Sequence, residues 1–248
     1  MEFLLADYIT SIFIFFGAIL YSSVGHGGAS SYIAIMSVMG TPVSSIKPIG
    51  LVLNIIVSSV GSYRFIKNKL FSYKVFLPLV IGSVPAAFLG GYIDLSSEFY
   101  RPLVGVVLLF AGFQFLFNIF KNLKTKSIKQ CNPYVAILVG LTIGLLSGLT
   151  GTGGGIFLSP IIVFLGWTTV KGASGTAAAF ILFNSISGLL GNFVSVNLIP
   201  NTIFLYSFAV FAGVLIGTNL GIRVLSEHGV KKALGLVIIL AGFKFILT

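Results

Sequence analysis

Two glycine-rich clusters are the residues of this sequence best suited to holding a ligand. The first is Gly25-His26-Gly27-Gly28, and the second is Gly151-Thr152-Gly153-Gly154, which Thr150 precedes. Glycine lacks a Cβ atom, so it permits sharp turns and lets the backbone approach a ligand closely. Each cluster stands between two apolar segments, where broken helices are tolerated only if protein or a water-filled cavity covers them. We therefore expect both clusters to line a buried cavity.

The expected charge of the ligand follows from the helices that begin after each cluster. The first turn of a helix has unpaired N–H groups and about half a positive charge. Two such helix starts that meet near the bilayer midplane would hold an anion without a buried lysine, which costs about 2.5–3.5 kcal/mol there. Interrupted segments at matching places in two halves are typical of a transporter's binding site. The alternative is that the glycines only let helices pack closely.

Polar side chains in and near the clusters extend the predicted site. His26 is the only histidine within an apolar stretch, and it would donate to the anion or titrate with it if protons drive transport. The alternative is a neutral histidine that bonds to the backbone. Thr152, its counterpart, donates but does not titrate. The predicted substrate-binding residues are Gly25, His26, Gly27, Gly28, Asn54, Thr150, Gly151, Thr152, Gly153, Gly154, Ser174, Thr176 and Asn184.

Four members of this set keep two interpretations. Asn54 and Asn184 are matched amides within matched apolar segments, so they either line the site or bridge helices. Ser174 and Thr176 open the eighth apolar segment, where their hydroxyls either reach the substrate or cap a helix.

Composition indicates a membrane protein. Of the 248 residues, 56% are hydrophobic and 8% are charged, whereas a soluble domain carries about a quarter charged residues. The net charge of +10 does not indicate nucleic-acid binding, because the basic residues stand in short connections between apolar runs. The single cysteine, Cys131, and the two histidines offer no metal-binding spacing. We expect neither a metal nor a cofactor.

The apolar residues fall into ten segments, and two of them are short. The segments 28–40 and 154–166 have 13 residues each, too few to cross a membrane alone. The others lie at roughly 8–24, 42–63, 74–93, 102–120, 134–149, 173–193, 202–222 and 232–247.

The second half of the chain repeats the first. The glycine clusters and Gly40/Gly166 match at an offset of 126, and later glycines, Asn54/Asn184 and Ala111-Gly112-Phe113/Ala241-Gly242-Phe243 match at 130 or 131. We expect an all-α membrane protein with repeats at 1–125 and 126–248 within one transmembrane domain. Each repeat has about five helical segments, broken or re-entrant at the glycine motifs.

Charged loops predict that the repeats are inverted. The lysine-rich connections 64–74 and 121–129 belong in the cytoplasm, and the acidic connection 94–101 belongs outside. An odd number of crossings per repeat turns the second repeat upside down. The chain is therefore expected to be a multi-pass protein of the cell membrane with both termini outside the cytoplasm.

The two glycine motifs, with Ser159-Pro160 and Gly166 after the second, resemble the TauE/SafE family, also called toluene-sulfonate uptake permeases. The resemblance covers essentially the whole chain and implies transport of sulfite, a sulfonate or a related sulfur oxyanion. This chain has Thr41-Pro42 where its second repeat has Trp167-Thr168, and the first repeat lacks four residues. The two halves are thus expected to contribute unequally to the site.

These observations predict a secondary transporter that moves a small sulfur-containing anion by alternating access. An anion channel and a protein with a structural or assembly role are the alternatives. An enzyme is not expected, because the apolar segments contain no paired carboxylates, metal cluster or nucleophile–base pair. The expected partners are the anion and the lipid bilayer, with proton coupling, the direction of transport and the oligomeric state left open.

The topology is testable by cysteine accessibility. Because the two lysine-rich loops fix every crossing between them, a cysteine introduced beside Met1 should react with an impermeant reagent on intact cells. Labelling of this end only after permeabilisation would contradict the topology.

Overall fold

The structure is a computed structural model that describes residues 3–23, 25–117, 128–223, 238–240 and 242–247. Within these ranges the chain is helical and has no strand. The helices are α1 (Leu5–Ser23), α2 (Ala29–Val38), α3 (Val43–Lys67), α4 (Tyr73–Tyr92), α5 (Ser97–Phe117), α6 (Pro133–Thr150), α7 (Gly155–Phe164), α8 (Val170–Gly191) and α9 (Ile203–Arg223), with a 3-10 helix at Phe193–Leu198. Residues 238–240 and 242–247 form a further C-terminal helical segment.

Six helices are long and apolar enough to cross a membrane: α1, α3, α4, α6, α8 and α9. They carry exposed aromatic side chains, such as Phe16, Phe204 and Phe208, which are 55%, 65% and 74% exposed. Apolar side chains in such positions are suited to contact with lipid. The prediction of an all-helical membrane protein is confirmed.

The two short predicted segments are short helices. α2 and α7 have 10 residues each, which at ~1.5 Å per residue makes them about 15 Å long, half of the hydrocarbon thickness. Each begins after a glycine with positive φ, at Gly28 (94°) and Gly154 (76°), and is followed by another, at Gly40 (83°) and Gly166 (73°). These two pairs have the predicted offset of 126, so the same backbone geometry recurs where the sequence recurs.

The hydrophobic side chains form two separate cores, and each contains helices from both halves of the chain. The first core joins α1, α2, α3 and α5 to α9, the C-terminal segment and Ile156 at the start of α7. The second joins α4 to α6, α7 and α8. α4 therefore packs with helices of the second half, and α9 packs with helices of the first half. We call the two groups the first bundle and the second bundle.

Glycine contacts hold the exchanged helices. A side-chain carbon on Gly144 of α6 would overlap the Ser83 carbonyl oxygen of α4, and one on Gly217 of α9 would overlap the Ile19 carbonyl oxygen of α1. Small residues let backbones approach in this way within membranes. The pairs α4–α6 and α9–α1 each unite the fourth helix of one half with the first helix of the other.

We predict that Gly82→Ala destabilises the protein while Gly61→Ala does not. A methyl group on Gly82 would meet the Ile137 carbonyl oxygen and lie 3.0 Å from the Leu141 nitrogen of α6, whereas one on Gly61 would lie 3.7 Å from Ala178 Cβ. Overpacking of this kind costs about 1–3 kcal/mol. Both changes raise helix propensity equally, so a lower melting temperature in detergent for Gly82→Ala alone would report the contact. Equal melting temperatures would contradict it.

Candidate functional site

The two glycine clusters lie on opposite sides of one asparagine side chain. A side-chain carbon on Gly27 would overlap Asn54 Oδ1, and one on Gly153 would lie 2.5 Å from Asn54 Nδ2. Both positions would also be 2.8 Å from Ile181 Cγ2 of α8. Asn54, on α3, has no solvent exposure. The turns before α2 and α7 therefore meet at Asn54 and Ile181, where the two bundles adjoin.

Asn54 already occupies the start of one of the two short helices. Its Oδ1 accepts a hydrogen bond of 3.1 Å from the N–H of Ala29, the first residue of α2. The sequence led us to expect free N–H groups at both helix starts, and for Ala29 this expectation is wrong. An unsatisfied buried N–H costs about 1–3 kcal/mol, and the bond to Asn54 Oδ1 avoids that cost.

The other half of the Asn54 amide faces the second cluster. Nδ2 has no hydrogen-bond partner among the described residues. Nearby, Ser185 Oγ lies 3.3 Å from where a side-chain carbon on Gly153 would be, and it too has no partner within the described part of the chain. Two buried donors therefore point to the same region, next to the start of α7.

The threonines of the second cluster bond to each other. Thr150 Oγ1 and Thr152 Oγ1 are 2.9 Å apart, and the Thr150 hydroxyl also donates to the Leu146 carbonyl at 2.7 Å. The Tyr100 hydroxyl of α5 donates to the Thr150 carbonyl at 3.2 Å. Both threonines are buried. They fix the turn between α6 and α7 and leave the Thr152 hydroxyl beside the cluster.

His26 lines a small cavity at the first cluster. Its ring packs edge-on against the Tyr21 ring with centroids 6.4 Å apart, and its Cδ2 would lie 3.6 Å from a side-chain carbon on Gly155. The cavity has a volume of about 10 Å³ and is also lined by Ser22, Gly25, Gly27, Val57, Ser58, Gly61 and Ala178. That volume is near the minimum for one water molecule. The cavity as described is therefore too small for a polyatomic anion.

Of the remaining predicted residues, Ser174 lies beside Gly25 of the first cluster, and Thr176 lies beside the loop that precedes α4. The Ser174 carbonyl oxygen would be 2.5 Å from a side-chain carbon on Gly25, while its hydroxyl donates to Val170 at 3.3 Å. The Thr176 hydroxyl accepts from Ser72 N, just before α4, at 3.3 Å. Neither caps α8, because that helix begins three residues earlier than expected and Thr169 caps it.

The matched asparagines do not have matched contacts. Asn184 is fully buried on α8, and its Nδ2 donates to the carbonyl of Phe180, one turn back, at 2.8 Å. Its Oδ1 has no partner within the described residues. Asn54 thus bonds to the start of α2, whereas Asn184 bonds to its own helix.

Sequence reasoning missed the position of Lys47. The side chain of this lysine, near the start of α3, is buried. Its Nζ donates to the carbonyls of Gly91 (3.1 Å), Ile93 (3.2 Å) and Gly90 (3.4 Å), at the end of α4. A side-chain carbon on Gly151 would lie 3.3 Å from Lys47 Cγ. The aliphatic part of Lys47 therefore adjoins the second cluster while its ammonium group is held at the end of α4, and no local sequence signal shows this position.

The chemistry of the site is that of hydrogen-bond donors. The described acidic residues, Asp7, Asp94 and Glu98, lie at or beyond helix ends, and the described residues contain no group of three that could hold a metal ion. Around Asn54 the structure offers the Nδ2 amide group and the Ser185 hydroxyl as donors, beside the backbone N–H of Ala29 that Asn54 accepts from. This arrangement suits an anion.

Comparison with known proteins gives one consistent result. Residues 10–245 match the family described as sulfite exporter TauE/SafE. The chain is 35% identical over 238 residues to the probable membrane transporter protein y4hK of Sinorhizobium fredii, with 95% of this chain and 96% of that protein covered. It is 28% identical over 250 residues to the probable membrane transporter protein YjnA of Bacillus subtilis, with 94% and 96% covered. No solved structure matches the chain significantly. With its helical membrane fold and its glycine motifs, the chain belongs to the TauE/SafE family of membrane transporters.

Proposed function

We propose that this transporter carries a small sulfur-containing oxyanion, such as sulfite or a sulfonate, bound between the two glycine clusters. The observation that carries the proposal is the position of Asn54, whose amide touches both clusters and bonds to the first N–H of α2. The description of the family supplies the class of anion.

Anion binding would replace the Asn54 bond rather than add to it. An oxyanion at the clusters would accept from Ala29 N–H in place of Asn54 Oδ1, and Asn54 Nδ2 and Ser185 Oγ would donate to it. Hydrogen bonds to a charged acceptor are roughly twice as strong as neutral ones, so the exchange favours the anion. The His26 ring stands at the edge of this position as a further donor, whereas the Thr152 hydroxyl would first have to give up its bond to Thr150 Oγ1.

Transport would follow from exchanging the contacts of the two halves. We take the halves 1–125 and 126–248 to be inverted repeats, supported by the paired positive-φ glycines and the exchanged helices α4 and α9. In the alternate conformation Asn184 would bond to the start of α7, and Asn54 would bond back to its own helix. The two bundles would then rock about α3 and α8, the helices that contact both clusters.

The small cavity beside His26 supports a transporter that changes conformation. With room for about one water molecule beside His26, the site has to rearrange before a polyatomic anion can enter, which is the behaviour of alternating access. An anion flux that depends on the gradient of a second ion would distinguish coupled transport from conduction.

Protons are the coupling ion that the site favours. His26 is the residue of the clusters whose type titrates near neutral pH, and its ring lies beside the cavity and Gly155. We expect His26→Gln to keep a donor, to weaken anion binding modestly and to flatten the pH dependence of uptake. An unchanged pH profile in this variant would exclude coupling through His26.

Asn54→Asp is the variant that tests the binding site most directly. A carboxylate would still accept from Ala29 N–H, but it would place a negative charge where the anion binds. Like charges about 4 Å apart repel by about 4 kcal/mol at an effective dielectric constant near 20, so sulfite affinity should fall at least tenfold. Sulfite-dependent thermal shift and uptake into proteoliposomes are the measurements.

Asn219→Asp is the matched control, because Asn219 is exposed on α9 and bonds only to its own helix turn, at Leu215. This variant adds the same charge and should bind sulfite as the wild type does. An Asn54→Asp protein that is folded and retains wild-type affinity would contradict the proposed site. Valine at Gly27 or Gly153 is a weaker test, because it overlaps Asn54 and so mixes loss of binding with misfolding.

A further inference from the structure

A second, larger cavity lies at the other end of α2 from the glycine clusters. Its volume is about 290 Å³, far above the roughly 10–15 Å³ that admits one water molecule. α2 has 10 residues, so the cavity and the first cluster are separated by about 15 Å of helix. The lining residues are Ser37, Gly40, Thr41, Pro42, Val43, Ile46, Arg101, Lys244 and Phe245.

Two basic side chains converge on this cavity from helices that are distant in sequence. Arg101 stands near the start of α5, and its buried Nε has no hydrogen-bond partner among the described residues. Lys244 comes from the C-terminal segment, and its Nζ donates to the carbonyl of Ser37 at 2.6 Å. Asp94 and Glu98 are exposed and do not line the cavity. The described lining is therefore positively charged.

The start of α3 adds to this positive potential. Val43 begins this helix of 25 residues, and Pro42 before it provides no side-chain cap. The first N–H groups of a helix and its dipole favour an anion at this position. Beside it, Gly40 has φ of 83°, and a side-chain carbon there would meet nothing within 4 Å. The turn between α2 and α3 thus leaves open space where three positive elements meet.

We propose that this cavity is an oxyanion-binding site separate from the glycine clusters. Arg101 would donate to the oxyanion through its guanidinium group, Lys244 would supply a second positive charge, and the start of α3 would supply backbone N–H donors. The oxyanion is either a dissolved ion or the phosphate of a lipid headgroup, since both present the same oxygen atoms. Under the predicted topology the cavity opens on the outer side, next to the 94–101 connection.

The test compares Arg101→Gln, Lys244→Gln and Lys171→Gln in an Asn54→Asp background, which removes the contribution of the central site. Lys171 is an exposed lysine at the start of α8 and is the control for loss of one positive charge. Sodium sulfate binding at low ionic strength is measured by calorimetry. Arg101→Gln would remove charge-assisted hydrogen bonds to the sulfate, so we expect it to weaken sulfate binding by about tenfold. Lys171→Gln should leave sulfate binding unchanged. Lys244 is exposed, so its replacement should preserve the fold and weaken binding by about threefold.

A second measurement separates the two sources of the oxyanion. Wild type and variants are reconstituted with phosphatidylglycerol or phosphatidylcholine, and retained lipid is counted by native mass spectrometry. Arg101-dependent sulfate binding supports the site with a dissolved ligand, and Arg101-dependent lipid retention supports it with a headgroup. If Arg101→Gln and Lys244→Gln retain both sulfate and lipid as the Asn54→Asp parent does, the proposal is overturned. The proposal for the central site is tested separately: it fails if the Asn54→Asp protein transports sulfite as the wild type does.

Discussion

The structure depends on satisfying the backbone groups that two broken helices leave inside a membrane. Each unsatisfied group there costs several kcal/mol, yet α2 and α7 both begin in buried turns. At Ala29 the solution is the side chain of Asn54 from a different helix. That bond joins α3 to the first cluster and places the amide against Gly153.

Close backbone contacts at glycine make this arrangement specific. Among lipid tails the hydrophobic effect does not drive helices together, so packing and hydrogen bonds do. α6 presents Gly140, Gly144 and Gly148 to carbonyl oxygens of α4, while α9 presents Gly213, Gly217 and Gly221 to those of α1. The helices within each bundle are thereby closely packed. The polar groups around Asn54 lie where the two bundles adjoin.

The sequence was sufficient to predict the helical membrane fold, the short helices and the residues that turn between them. Those features are encoded locally, by composition, segment length and paired glycines such as Gly28 and Gly154. Three others were missed: the bond from Asn54 to Ala29, the buried position of Lys47, and the exchange of α4 and α9. Each depends on which helix faces meet in space, and neither apolar periodicity nor charge specifies that. The inverted orientation of the halves and the roles of the site residues stay predictions.

The exchanged helices also constrain how the chain is made. Membrane proteins are synthesised from the N-terminus, so a helix made early lacks any packing partner that is made later. α1 leaves the ribosome well before its glycine-lined partner α9, which begins only at Ile203. α4 likewise waits for α6. The first half therefore cannot complete either hydrophobic core by itself, and assembly has to finish after nearly the whole chain has entered the membrane.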